Sequence, residues 1–385
     1  MVESASAGRT RIRRAASPVL PEELVVWEIL VRLPAKALLR CRAVCRPWLR
    51  LITSDPDFLR AHHLRQPSLP LVFFHNHISF YSRDLVDAAV DAFDLRRSPA
   101  ERQPVLRFND CNHHRHFEVR ASCDELLLLS LSDGCFYICN PATRHIAGLY
   151  PHGSSGEYRV LYREMKRKRC HDGGNVYYVL TVGSSAEPRC IGCPVTSPSM
   201  ERSLTYISHL PAILLRSCLH WGQRFLKHEL IAFDTVAESF RRISAPADYN
   251  WAWSDLFDMD GMLGVSSVNE SETMVELWVL QDYKMEVWSL KYQIKLPVAG
   301  MRTIAKNCSF DVLVVSQNGD MLVYCDNASH LFHCSSNGKL LQKFQWDRVF
   351  LMVTGHWFKE SLCRHSFFHN QNHGVVKQPR FFCGL

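Results

Sequence analysis

Apolar residues recur at helical spacing near the start of the chain, between residues 20 and 62, and at strand-like spacing from residue 69 onward. The first stretch reads LPEELVVWEILVRLPAKALLRCRAVCRPWLRLITSDPDFLRAH. Pro21 and Pro34 stand where helices can begin, because proline tolerates a first turn and presets its φ. Residues 22–33 predict a helix with Leu24, Trp27 and Val31 on one face and Val25, Ile29 and Leu33 on the next. Val26 and Leu30 widen the apolar arc beyond a single core-facing stripe. Glu22 and Glu23 complement the dipole of the first turn. A second helix is expected over residues 35–42. A third is expected over 44–52, with Val44, Trp48, Leu51 and Ile52 able to face inward and Pro47 in its first turn. Asp55 and Pro56 cap a short fourth piece carrying Phe58 and Leu59. So small a unit buries little surface. Its surplus of apolar side chains implies either a partner or packing on the rest of the chain.

Beyond residue 69 the apolar runs are short and rich in Val, Leu, Phe, Tyr and Trp. They cover residues 70–74, 125–131, 135–139, 176–182, 230–233, 275–280, 287–292, 312–315 and 321–324. Turn residues bound them, among them Asn318-Gly319 and Asn337-Gly338, both hairpin signals. This is an all-β pattern. Three segments, residues 136–146, 231–243 and 323–341, each read strand, polar turn, strand, as a propeller blade would, and about six blades would fit the length. The Gly-Gly doublet of kelch repeats occurs once, at Gly173-Gly174, and no Trp-Asp pair ends a strand, so periodicity alone leaves a propeller and a sandwich both open.

Composition narrows the classes. The 385 residues suffice for a small module and one large domain. No apolar run approaches 18 residues, and no apolar leader opens the chain, so neither a membrane span nor a secretory signal is expected. Residues 1–17 read as a disordered basic tail. Fifteen scattered cysteines, an odd number, point to reduced thiols and a cytoplasmic or nuclear setting. The net charge of +7 gathers in residues 9–14, 96–107 and 163–169, which match no nucleic-acid motif and read as solvated runs.

The order of residues between 20 and 62 resembles the F-box of plant F-box proteins. Leu20, Pro21, Leu24, Glu28, Ile29, Leu30, Arg32, Leu33, Pro34, Lys36, Leu38, Leu39, Arg40, Arg42, Val44, Cys45, Trp48, Leu51, Ile52, Phe58 and His62 carry the likeness. The sequence departs from the commonest pattern at one point. Three residues, Val25, Val26 and Trp27, separate Leu24 from Glu28 where two are usual, which rotates the Leu20-Pro21 end relative to Ile29 and Leu30. The resemblance continues through Asn140-Pro141-Ala142-Thr143-Arg144, through Phe233-Asp234 with Glu238, Phe240 and Ile243, and through Glu276, Trp278-Val279-Leu280, Asp282-Tyr283 and Trp288, which look like segments of F-box-associated domains. It implies an α+β multidomain chain of the cereal type. A three-helix F-box at residues 18–63 is followed by an all-β, propeller-like (kelch-like) F-box-associated domain at 69–362 and a loose tail at 363–385.

The function so implied is that of a substrate receptor in a cullin-based (SCF-type) ubiquitin ligase. The F-box would bind a Skp-type adaptor, and through it a cullin scaffold, by Leu20, Pro21, Leu24, Ile29, Leu30, Leu33, Pro34, Val44, Cys45 and Trp48. The β domain would hold a target protein. Tyr249, Trp251 and Trp253 cluster with polar neighbours in a stretch that reads as no clean strand, and are candidates for that contact beside a blade-filling role. The alternative is a β-propeller binding a carbohydrate or small metabolite, with the helices as a cap. No cofactor is expected. A single Cys190-x-x-Cys193 and the Cys111 to His116 run lack the paired spacings of a zinc site. Neither GxSxG nor a phosphate loop occurs. Asp258 and Asp260 fit a turn better than an acid/base pair.

Overall fold

The computed structural model describes residues 20–76, 87–109 except 98, 117–131 except 124 and 125, 136–139, 150–151, 157–164, 176–192 except 183 and 185, 211–222, 229–246, 253–303 except 270, 310–324 except 317, 330–362 except 347 and 348, and 382–383. The chain divides into two compact units, Met1–Gln66 and Pro67–Leu385.

In the first unit, one distorted helix (α1) runs through residues 22–32, followed by α2 (Ala35–Cys41), α3 (Arg46–Ser54) and α4 (Pro56–Arg65). Pro34, Cys45 and Asp55 take the N-cap positions of α2, α3 and α4 in extended conformations. The Asp55 carboxylate accepts from the Phe58 amide at 2.9 Å, which satisfies one orphan donor of α4. Val44 precedes α3 rather than lying within it. The core of this unit is Val26, Leu30, Val31, Ala35, Leu38, Ile52, Phe58, Leu59 and His62. The faces expected of α1 therefore differ from those observed, since Val31 is buried while Leu24 and Trp27 are open. The cause is a change of helix type. Glu22–Leu24 is α-helical, Val25–Ile29 is a π turn and Leu30–Arg32 is a single 3₁₀ turn. The Leu30 amide donates to the carbonyls of both Val25 and Val26.

Among the described residues, the second unit holds six antiparallel sheets, here numbered I to VI. Sheet I joins Ser68–Asn76, Asp87–Asp94 and Glu101–Asn109 to Val349–Lys359 and Phe382–Cys383. Sheet II holds Phe117–Cys123, Leu126–Leu131 and Phe136–Cys139, and sheet III holds Tyr150–Pro151, Tyr158–Glu164, Val176–Thr181 and Arg189–Gly192. Sheet IV is Ile213–Leu215, Cys218–Trp221, Glu229–Asp234 and Ser239–Ser244. Sheet V is Trp253–Met259, Met262–Val268, Met274–Asp282 and Val287–Lys295, and sheet VI is Asp311–Val314, Met321–Tyr324, His330–Cys334 and Leu340–Gln345.

Sheets II to VI are plain meanders, and their cores lie between sheets rather than within them. Leu127 and Leu129 of II pack on Leu71, Val90 and Ala92 of I. Tyr177 and Val179 of III meet Ile231 and Phe233 of IV. Leu230 and Ala232 of IV meet Leu263 and Val265 of V, and Val275, Leu277 and Val279 of V meet Val312, Met321 and Val323 of VI. Leu313, Leu322 and Leu331 of VI then return to Val72, Phe74 and Phe93 of I. Among the described residues, sheets I and II, III and IV, IV and V, V and VI, and VI and I pack face to face, and the return of the last sheet to the first defines a propeller rather than a sandwich. A late strand closes the ring, since Val72 and Phe74 pair with Val353 and Leu351.

Two expectations change. Residues 96–107 are not simply a solvated run, because Glu101–Asn109 is a strand. Arg102 and Arg107 both pair with Asp91, whose side chain is fully buried. A bulge between Val90 and Asp91 shifts the register there. Within residues 363–385, the described pair Phe382–Cys383 bonds to Phe108 and Arg107 at the edge of sheet I.

Candidate protein-docking site

Side chains of α4 and of Gln66, just after it, donate to backbone carbonyls of α1 and of Leu33, which follows it. Arg65 Nη1 donates to the Trp27 carbonyl at 3.1 Å. His62 Nε2 donates to the Leu33 carbonyl at 2.8 Å, and the Gln66 amide donates to the same oxygen at 3.2 Å. Burial pushes the His62 imidazole below its usual pKa, so it stays neutral in this role. Phe58 stacks on His62 and tilts against Trp27, with ring centroids 6.5 and 6.0 Å apart. These contacts fix α1 on α4 through its inner side.

Its outer side stays open. Leu20, Leu24 and Ile29 leave 59, 49 and 45 % of their surface accessible, and Val44, in the turn before α3, leaves 64 %. Pro21, Pro34 and Cys45 are exposed as well, and Leu33 and Trp48 are half-buried. Leu30 differs from the rest of the expected docking set. It is almost wholly enclosed in the core of the unit and supports the surface from beneath. Trp27, Leu49 and Leu64, which are not among the residues expected at a docking surface, are also exposed. Covering the open half of Leu20, Leu24, Ile29 and Val44 is worth about 1 kcal/mol each, half of a full side-chain burial.

In the β unit, the segments singled out by sequence hold sheets together. Asp234 Oδ1 accepts from the amides of Val236 and Ala237 at 2.8 Å, and Asp282 Oδ1 accepts from those of Lys284 and Met285 at 2.9 Å. The fourth loop residue of each turn, Glu238 or Glu286, sits at positive φ and reaches the preceding sheet. Glu238 pairs with Arg159 at 2.7 Å and with Arg189, while Glu286 Oε2 accepts from the Ser244 amide at 2.9 Å. Leu277 and Val279 face sheet VI, whereas Trp278 and Leu280 face sheet IV, so this strand is packed on both sides. Tyr283 donates its hydroxyl to Nε2 of the buried His220 at 2.6 Å, and Nδ1 of that ring donates to the Ile213 carbonyl at 3.2 Å. Burial lowers the His220 pKa to about 4. Asp258 accepts from the Gly261 amide at 2.9 Å in a hairpin, the turn role expected of it, and burial raises its pKa.

Tyr249 and Trp251 lie outside the described residues, as do Cys193 and residues 111–116. Trp253 begins the first strand of sheet V, opposite Val268. Among the described residues, no three His, Cys, Asp or Glu side chains converge as a metal site.

The described residues thus form a four-helix unit with exposed apolar side chains, followed in sequence by a propeller. Residues 110–371 match the family described as F-box associated beta propeller domain, and residues 18–65 match the F-box-like family. The chain belongs to this family and is a plant F-box protein. An F-box protein of Arabidopsis thaliana is 25 % identical over 309 residues, 72 % of this chain and 79 % of its own length. The F-box protein CPR1 of the same plant is 24 % identical over 348 residues, covering 78 % of this chain and 81 % of its own. An F-box/kelch-repeat protein, also from Arabidopsis thaliana, is 24 % identical over 357 residues, with 80 and 77 % covered.

Proposed function

We propose that this chain is the substrate-recognition subunit of an SCF-type cullin ubiquitin ligase. The F-box docks on a Skp-type adaptor, and through it on a cullin scaffold, by the open face that includes Leu20, Pro21, Leu24, Ile29 and Val44. The propeller holds a target protein. The chain forms and breaks no bonds; it raises the effective concentration of the target near the conjugating machinery. It works in the cytoplasm or nucleus. The observation that supports this reading best is the set of half-exposed apolar side chains on α1 and before α3, within the residues that match the F-box-like family.

Co-expression of the full chain with a Skp-type adaptor tests it. The wild type is expected to co-purify. Leu24→Asp and Ile29→Asp should each weaken capture at least tenfold without changing the melting of the chain, because each would carry an unpaired charge into the interface. Leu30→Asp places that charge in the core and should unfold the module itself, so it serves as the folding control. A wild-type chain that never captures the adaptor contradicts the proposal.

A further inference from the structure

The π turn in α1 has a consequence for this same face. In a regular α-helix each residue turns about 100°, so the five-residue step from Leu24 to Ile29 would set them about 140° apart. A π turn takes up one residue, and the effective step becomes four, about 40°. Val26 lies within the π turn and Val31 five residues on, in the 3₁₀ turn that follows it. Exposure follows the π geometry, for Leu24 and Ile29 are both open and Val26 and Val31 are both buried. The Leu30 amide donates to the Val25 carbonyl, five residues back, and shares its hydrogen with the Val26 carbonyl, four back. Two independent contacts hold the distortion in place: Arg65 on the Trp27 carbonyl, and the Trp27 ring against Phe58.

We propose that this π turn is a register device: it absorbs one residue of α1 so that Leu20, Pro21 and Leu24 share the adaptor-facing side with Ile29, and without it the docking face would be split across the helix. The inference rests on the adaptor reading above and adds the element that positions its contact residues. Glu28 is the natural residue to remove. It is exposed, and its side-chain partner is Arg32, itself on the surface. Its deletion turns the Leu30-to-Val25 bond from a five-residue into a four-residue step. The same two residues stay paired, now in an ordinary α-helix.

The test compares the full wild-type chain with a chain lacking Glu28 and a chain carrying one alanine inserted after Glu28, each titrated against purified Skp-type adaptor. Far-ultraviolet circular dichroism and thermal melting follow the fold in parallel. The deletion is expected to bind within about threefold of wild type, with the α-helical signal kept or increased. The insertion is expected to bind at least tenfold more weakly. A deletion that loses binding as far as the insertion does, or an insertion that binds like wild type, overturns the register role. Should the insertion fail to fold, the deletion alone decides. A wild-type chain that does not bind the adaptor speaks against the underlying function, whereas a binding wild type with a non-binding deletion speaks against the π turn.

Discussion

At Gly338 the backbone has a φ of 78°, and a β-carbon there would fall 2.1 Å from the Lys295 carbonyl oxygen. The turn thus needs glycine twice, for its conformation and for the approach of sheet VI to sheet V. Gly338→Ala should lower stability by about 1–3 kcal/mol, through strain and displaced packing, measurable as a fall in the denaturant midpoint of the chain. This residue was legible in the sequence, since Asn337-Gly338 between apolar runs signals a hairpin. The turn at Arg216 and Ser217 was not. Both residues lie at positive φ in a two-residue hairpin, with neither glycine nor asparagine to mark it. Leu30 shows a second limit. A motif supplies residue identities, but which of them face inward depends on helix type, and the π turn moved that boundary by one residue.

At the level of elements, the strands with strong apolar character were readable close to their observed limits. Residues 321–324 form the strand expected there, and residues 275–280 lie within Met274–Asp282. Strands such as Asp87–Asp94 and Glu101–Asn109 escaped, because charged residues interrupt their alternation. Those charges are satisfied across the sheet, by Arg102 and Arg107 on Asp91, and a single strand seen alone cannot reveal such a partner. The Asp234-to-Glu238 turn of sheet IV explains why that family-like segment carries both acids, and the same turn recurs in sheet V from Asp282 to Glu286, a glutamate outside the segment that carries the likeness. The aspartate caps its own loop and the glutamate reaches the preceding sheet. The helices of the F-box were expected in the correct order, while the π turn was visible beforehand only as an additional residue between Leu24 and Glu28.

The whole molecule combines an open-faced helical unit with a ring of sheets held by buried neutral groups. His220 and His356 are both buried, and burial depresses each pKa to about 4. Unfolding returns them to their ordinary value of 6.5, so between pH 6.5 and 4 the unfolded chain binds more protons than the folded one. Stability is therefore at its full value above pH 6.5 and falls as the pH drops through that window. The slope is about 1.4 kcal/mol per pH unit for each histidine. Burial shifts His62, His330 and His333 in the same direction. Thermal melting measured from pH 8 to 4.5 should be level above pH 6.5 and decline below it; a melting temperature that stays constant to pH 4.5 would contradict the assignment of these rings as neutral in the fold.

The central claim is that the open face of the helical unit is one half of an interface with another polypeptide. Hydrogen–deuterium exchange of the full chain, with and without a saturating Skp-type adaptor, addresses it directly. Slowed exchange is predicted in residues 20–32 and 41–49, with the strands of the six sheets unchanged. Exchange that is unaltered across residues 20–49, or protection confined to the β unit, would contradict it.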